Sequence, residues 1–252
     1  MSSSKLPNHD LSEGHLESCQ ICSAKDLKFV IDLGHQAPCD TLLTPEQLNL
    51  EEKTYPLRVF WCEDCCLAQI DYVVPPESLF YAEYPYRSGI TPTLVKYLKG
   101  LSSVVMEKFG FQPPGLVVDI GSSDGTLLSG FKEKGFQVLG VEATNVAQIA
   151  NTEGIDTIQN FFNEELAHGI VKNHGNASVV TATNVFAHIA SLGNMIRGVE
   201  HLLSENGLFV TESHYLLDII ETVQYDSIYH EHLKFYSLKS IIRLFDYYDF
   251  TV

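Results

Sequence analysis

The chain has no apolar run long enough to cross a bilayer, and its first ten residues, MSSSKLPNHD, contain no apolar core of a secretory signal. Both absences argue against a helical membrane protein and point to the cytoplasm. Basic residues are scarce, with Lys and Arg totalling 16 against 32 Asp and Glu, for a formal net charge of -16. So acidic a surface repels phosphate backbones and anionic lipids, which excludes nucleic acid and membrane as expected partners. It leaves room for a small anionic ligand in a local pocket. The dinucleotide fingerprint G-x-G-x-x-G is missing as well.

What is present begins with cysteine. The 252 residues include 6 cysteines, and four of them fall in two pairs, Cys19-Gln-Ile-Cys22 and Cys62-Glu-Asp-Cys65. In a cytosolic chain this argues for metal rather than a disulfide framework. A C-x-x-C turn converges two thiolates on one ion, and two such turns close a tetrahedral Cys₄ zinc site with no position left for substrate. The metal is therefore expected to staple a small lobe, with Cys39 and Cys66 as packing residues and Cys66, beside Cys65, the alternative ligand. Residues 1–16 read as a flexible polar tail in which His9 and His15 are solvated. The zinc-binding domain is expected over 17–80, a helical linker with an aromatic segment over 81–112, and an α/β domain over 113–252.

From about residue 115, short apolar runs alternate with helical spacing. GLVVDI, FQVLGVE, IDTI, ASVVTAT and GLFVTE are candidate buried strands, and helices are expected near 124–134, 145–153, 163–173 and 191–203. Such alternation predicts a parallel sheet covered on both faces, with ligands beyond the carboxyl ends of its strands. The stretch VVDIGSSDGTLL lies at the end of the first of these strands. Its Asp119, Gly121 and Gly125, with Glu142 closing the next strand, form a D-x-G-x-x-x-G loop followed by an acid. That spacing suits a cofactor without a pyrophosphate, S-adenosylmethionine (SAM), with Glu142 accepting from the ribose hydroxyls.

The cysteine pairs, YPLRVFWCEDCCLAQ, LFYAEYPYRSG, DIGSSDGTLL, VLGVEAT, NVFAHI and YDSIYHEHLKFYS together resemble the zinc-containing, SAM-dependent sugar C-methyltransferases, which methylate a nucleotide-linked keto-deoxysugar. The resemblance implies a class I methyltransferase (Rossmann-like) sheet behind the Cys₄ lobe, with zinc on Cys19, Cys22, Cys62 and Cys65. It places the methionine moiety of SAM along Gly121, Ser122, Ser123 and Asp124, and the ribose on Glu142. Asn184 would lie beside the sulfonium and His188 at the substrate pocket, with Tyr84 or Tyr86 reaching in from the linker. Ser123 stands where Asn is usual, Ala143 where Pro is usual, and Cys66 where Gly is usual; the last is tolerable if that turn needs no positive φ. Family members carry a further α/β domain, whereas this chain ends at YDFTV, where a sixth strand would start. The sheet is therefore expected to be incomplete at its C-terminal edge, closed by a homodimer or a separate C-terminal partner, with reduced or absent turnover if nothing replaces that domain.

C-methylation beside a ketone needs a base at the carbon and a donor at the oxygen, because the reacting carbanion is an enolate. YHEH supplies the candidates. If that segment is helical, Tyr229 and His232 lie one turn apart. His232 is the candidate base, Tyr229 orients it or stabilises the enolate, and Glu231 holds a sugar hydroxyl or tunes an imidazole. His230 is a substrate-side candidate that can equally point into the protein. Two other readings compete: an O- or N-methyltransferase of another metabolite, and a non-catalytic zinc-ribbon adaptor.

Overall fold

The computed structural model describes residues 6–80 and 84–252. Its strands are β1 (Gly14–His15), β2 (Leu27–Gln36), β3 (Tyr55–Cys62), β4 (Leu67–Ile70), β5 (Tyr72–Val73), β6 (Leu116–Ile120), β7 (Gln137–Glu142), β8 (Thr157–Gln159), β9 (Ala177–Thr183), β10 (Leu203–Glu212) and β11 (Lys234–Phe235). Its helices are α1 (Pro76–Leu79), α2 (Pro92–Phe109), α3 (Thr126–Lys132), α4 (Val146–Thr152), α5 (Glu164–His174), α6 (Leu192–Leu202), α7 (Leu216–Glu221) and α8 (Leu238–Asp246). Contacts divide the chain into two compact bodies, one of Phe80–Val185 with Asn194–Glu212, the other of Met1–Leu79, Phe186–Gly193 and Ser213–Val252.

The first body is built on a five-stranded parallel sheet in the order β10-β9-β6-β7-β8. All five residues of β6, Leu-Val-Val-Asp-Ile, are buried, as a strand covered on both faces requires. Val117, Val179, Leu127, Leu128 and Phe131 form the core with Leu98 and Val105 of α2. Helix α2 begins where the Thr91 side chain accepts from the Leu94 amide, with proline in its first turn, and ends at left-handed Gly110. Gly130 of α3 lets α2 approach, since a Cβ there would lie 3.1 Å from the Lys99 backbone. The strands and helices expected from 115 onward all form. β10 pairs only with β9 among the described residues, so it is an edge strand. Residues 250–252 form no sixth strand.

The second body carries an antiparallel sheet in the order β11-β4-β3-β2. Its core joins Leu57, Val59, Ala68 and Ile70 to Leu216, Ile219, Leu233 and Phe235. Segments 186–193 and 213–252, expected with the cofactor sheet, thus pack in the zinc-binding lobe. The cause is the β11–β4 ladder, in which Lys234 opposes Gln69 and Phe235 opposes Ala68. The polar N-terminus also differs from a flexible tail. Gly14 and His15 pair with Val73 and Tyr72, and Asp10 bridges to Ser191. His9 is 2% exposed, with Nδ1 on the Tyr248 hydroxyl (2.7 Å) and Nε2 on the Ile21 carbonyl (2.7 Å). Apolar cover and two hydrogen-bonding partners hold a histidine that composition alone would leave in water.

Candidate functional site

In the parallel-sheet body, the loop after β6 turns sharply through Gly121 (φ +69°), Ser123 (φ +52°) and Gly125 (φ +78°). A Cβ on Gly121 would clash with Val185, and one on Gly125 would lie 2.9 Å from Ile155, so both positions need glycine for space as well as conformation. Ser123 holds the left-handed conformation without that freedom. This accounts for a preference for Asn at such a position, because Asn tolerates left-handed φ better than Ser. Asp119 is 2% exposed, and its Oδ1 accepts from Thr181 Oγ1 at 2.6 Å; burial, reinforced by the Glu142 charge, pushes its carboxyl up to about 7. Asp119 therefore lies beneath the loop and ties β6 to β9.

Glu142 ends β7 with its carboxylate held on three sides. Oε2 accepts from the Ser123 amide (3.0 Å), and Oε1 accepts from the Thr144 amide (2.9 Å) and hydroxyl (2.8 Å). A carboxylate has about four acceptor sites, so roughly one is left for a ligand hydroxyl. Two buried side-chain oxygens nearby in sequence, Ser122 Oγ and Asn145 Oδ1, have no hydrogen-bond partner among the described residues. A glycine cradle, a fixed acid and unfilled oxygens suit a small polar ligand with donor groups, and SAM fits that description.

Two features of this body escaped the sequence reading. The Ser88–Ile90 turn is tied onto the glycine loop, with the Ser88 amide donating to Ser123 Oγ (3.0 Å) and the Gly89 amide to Asp124 Oδ2 (2.8 Å). The other oxygen of Asp124 accepts from the Thr126 hydroxyl at 2.6 Å. The end of LFYAEYPYRSG thus reaches the loop directly; its residues 81–83 lie outside the described residues. A Cβ on Gly89 would clash with the Asp124 carboxylate. Gly89→Ala is therefore expected to weaken SAM binding about tenfold, the equivalent of one lost charge-assisted hydrogen bond, as read by calorimetry. The second feature is Glu212, at the end of β10. It accepts from Asn184 Nδ2 (3.1 Å) and from the Tyr97 hydroxyl, while the Asn184 amide donates to its carbonyl (2.8 Å). Asn184 is exposed and left-handed (φ +56°), so Glu212 holds the residue expected beside the sulfonium. Tyr84 is half-buried with its ring 5.7 Å from Phe80, whereas Tyr86 is 49% exposed.

In the zinc-binding lobe, Cys19, Cys22, Cys62 and Cys65 place their sulfurs within 4.8 Å of one another. The Cys19–Cys65 and Cys22–Cys62 sulfurs are 3.4 Å and 3.5 Å apart, far longer than a disulfide. Tetrahedral zinc with ~2.3 Å bonds sets sulfurs about 3.8 Å apart, so the four thiols fit the metal. Cys66 takes φ +59°, so the turn after the last ligand does use the left-handed conformation, contrary to the condition under which cysteine would be tolerated there. Its amide still donates to the Cys62 carbonyl (2.9 Å), and its own carbonyl accepts from Ser237 Oγ (2.7 Å).

The zinc knuckle is wired to YHEH. Gln20, between the first two cysteines and 1% exposed, donates from Nε2 to the carbonyls of Ile70 and Leu233, each at 3.0 Å. Leu233 follows His232. The YHEH segment is a turn, not a helix. One bond from the His232 amide to the Tyr229 carbonyl (3.1 Å) suffices to bring the two side chains together, with Tyr229 Oη 2.9 Å from His232 Nε2. His232 Nδ1 lies 2.8 Å from the Ser227 carbonyl. A carbonyl only accepts, so Nδ1 carries the proton, and Nε2 presents its lone pair to the tyrosine hydroxyl. His232 is 4% exposed, and burial pushes its imidazole down to about 4.

Around that ring lie His188 (centroids 5.0 Å) and His214 (4.8 Å), the latter missed because nothing in ESHYLL marks it. Burial, then the neighbouring imidazoles, pushes His188 down to about 3. Glu231 is 3% exposed. His230 points inward, its Nε2 on the Tyr55 carbonyl at 3.3 Å.

Comparison with known proteins finds two family matches, and residues 213–252, which pack in the zinc-binding body, fall within the second of them. Residues 19–80 match the family described as "Putative zinc binding domain", and residues 96–252 match the family described as "Methyltransferase domain". The chain is 33% identical over 232 residues to the C-methyltransferase NovU of Streptomyces niveus, covering 92% of this chain and 55% of that protein. The chain therefore spans about half the length of that curated relative. A crystal structure described as a "putative O-methyltransferase", from Nostoc punctiforme, superimposes with a TM-score of 0.51 at 17% identity, over 64% of this chain and 52% of that one; it shares the fold alone. No helix among the described residues is long and apolar enough to cross a membrane. The match over 96–252 settles the family: this chain belongs to the SAM-dependent methyltransferase-domain family, with a zinc-binding domain ahead of the cofactor-binding sheet.

Proposed function

We propose that the chain methylates the carbon next to a ketone in a nucleotide-linked deoxysugar, through an enolate. The observation that carries this reading is the Tyr229–His232 pair, with its unprotonated Nε2 held 2.9 Å from a phenol in a buried setting. Transfer to an oxygen or nitrogen needs no carbon base, whereas a carbon beside a ketone does. The name of the Streptomyces relative, a C-methyltransferase, supports the same choice.

Bound SAM supplies the electrophilic methyl group; Gly121, Ser122, Ser123, Asp124, Glu142 and Asn184 are the residues that would hold it. His232 Nε2 takes the proton from the carbon, and the C–H bonding pair passes into the enolate. Tyr229 gives its hydroxyl hydrogen bond to the developing oxyanion as the imidazole becomes protonated. Loss of that proton to solvent restores Nε2. Glu231, His188 and one of Tyr84 or Tyr86 bind sugar hydroxyls, while zinc keeps the lobe folded. His230, with its Nε2 on Tyr55, supports the floor of the substrate side. Free thiols in the Cys₄ cluster suit a reducing cytoplasm, and the open edge of β10 suits closure by a second copy or a C-terminal partner.

The test is incubation with SAM and a nucleotide-linked 4-keto-deoxysugar, with the product read by NMR and mass. A new C–methyl resonance on the carbon beside the ketone is expected. A methyl on oxygen or nitrogen would transfer the chain to the other methyltransferase class. Calorimetry showing no binding of SAM or its demethylated product would leave the non-catalytic adaptor.

A further inference from the structure

Lys234 is the one Lys or Arg side chain that is fully buried among the described residues, at 2% exposure. It lies on β11 opposite Gln69, and its Nζ donates to the Ile189 carbonyl at 2.7 Å. No Asp or Glu among the described residues pairs with it. Burying an ammonium with one acceptor and no counter-charge is costly, and an apolar residue of the same length would be cheaper. Packing alone therefore does not explain a lysine at this position.

Ile189 follows His188, so the bond from Lys234 fixes the backbone that carries this imidazole. Groups facing His188 include His232 from the Tyr229–His232 turn, His214 from the segment after β10, and Lys234 from β11. Burial comes first in keeping that imidazole neutral, so what the lysine adds is the fixed backbone. We propose that Lys234 is the positioning residue for His188, pinning the Ile189 carbonyl and so aiming the adjacent imidazole to donate to one sugar oxygen and accept from a hydroxyl. The role of His188 as a substrate contact rests on the function proposed above; the link between Lys234 and His188 does not. Burial pushes the Lys234 ammonium down to about 7, so its charge is present below neutrality and is lost as pH rises through that value.

The test is NMR of the His188 ring at neutral pH in the zinc-loaded, ligand-free chain, its resonances assigned by loss in His188→Gln. Lys234→Met keeps the length and removes the charge. It is expected to move the His188 ring resonances as the Ile189 carbonyl is released, with SAM affinity unchanged, and to weaken any binding of the keto-sugar nucleotide seen in wild type several-fold. Lys234→Arg, which retains a donor for the Ile189 carbonyl, should restore the resonances toward wild type. Unmoved His188 resonances in folded Lys234→Met, or no recovery in folded Lys234→Arg, would overturn the proposal. Should Lys234→Met not fold, the wild-type chain decides. Its His188 ring shifts should inflect near pH 7 as Lys234 loses its proton, and a flat response there contradicts the assignment. None of these readouts requires turnover, so failure of methyl transfer would sink the function without touching this inference.

Discussion

His232→Ala should lower methyl transfer by about 10² to 10⁴-fold, the usual contribution of a positioned general base, with zinc content and SAM affinity unchanged. The expectation follows from a fixed tautomer. The Ser227 carbonyl holds the Nδ1 proton, so Nε2 is the atom left to accept one, and Tyr229 already hydrogen-bonds it. Tyr229→Phe leaves the base in place and removes the hydroxyl, so a smaller loss, about 10 to 100-fold, is expected. The pH profile adds an independent check. A base must be unprotonated to act, so kcat/KM falls as pH drops through its pKa. Burial has pushed His232 down to about 4, so the acid limb should lie well below the ordinary histidine range. An acid limb near pH 6.5, the ordinary histidine value, or a rate that survives His232→Ala, would assign the proton transfer to another group.

Removing zinc should have the second large effect. Chelation, or Cys62→Ser, is expected to unfold the antiparallel lobe and abolish methyl transfer, while calorimetry shows SAM affinity reduced by less than about tenfold. Structural zinc contributes ~10 kcal/mol or more to the folding of small domains, more than the whole stability of many of them. Each body has its own apolar core, so the parallel sheet should outlast the lobe. The loss of turnover follows because β11 and Leu233 belong to the lobe, and Gln20 of the first knuckle holds the carbonyl next to His232. Gradual loss of activity at constant lobe structure, or SAM binding lost at the same chelator concentration, would contradict this.

The zinc site, the order of strands and helices from residue 115, and the Tyr229–His232 pair were legible because each rests on short-range spacing. Two cysteines three residues apart converge in any knuckle, and residues three apart meet in any single turn, helical or not. The partition of the chain was not legible. β11 is a two-residue strand with no periodicity, and its partner β4 lies more than 160 positions earlier, so nothing local assigns it to the zinc-binding lobe. The burial of His9 and Lys234 was hidden for a related reason. Both residues are polar, and only tertiary contacts to Ile21 and Ile189 make their placement tolerable. The Ser88–Gly89 clasp and the grip of Glu212 on Asn184 likewise join residues far apart in sequence. The left-handed turns at Ser123 and Cys66 show a different gap, because neither residue type signals positive φ as glycine or asparagine does.

The measurement that reaches the central claim most directly is exchange of solvent deuterium into the carbon beside the ketone, followed by NMR with the demethylated cofactor in place of SAM. No methyl group can then transfer, so exchange reports the base and the enolate alone. The account predicts exchange catalysed by the wild-type chain and abolished in His232→Ala. Exchange that persists undiminished in His232→Ala would contradict it.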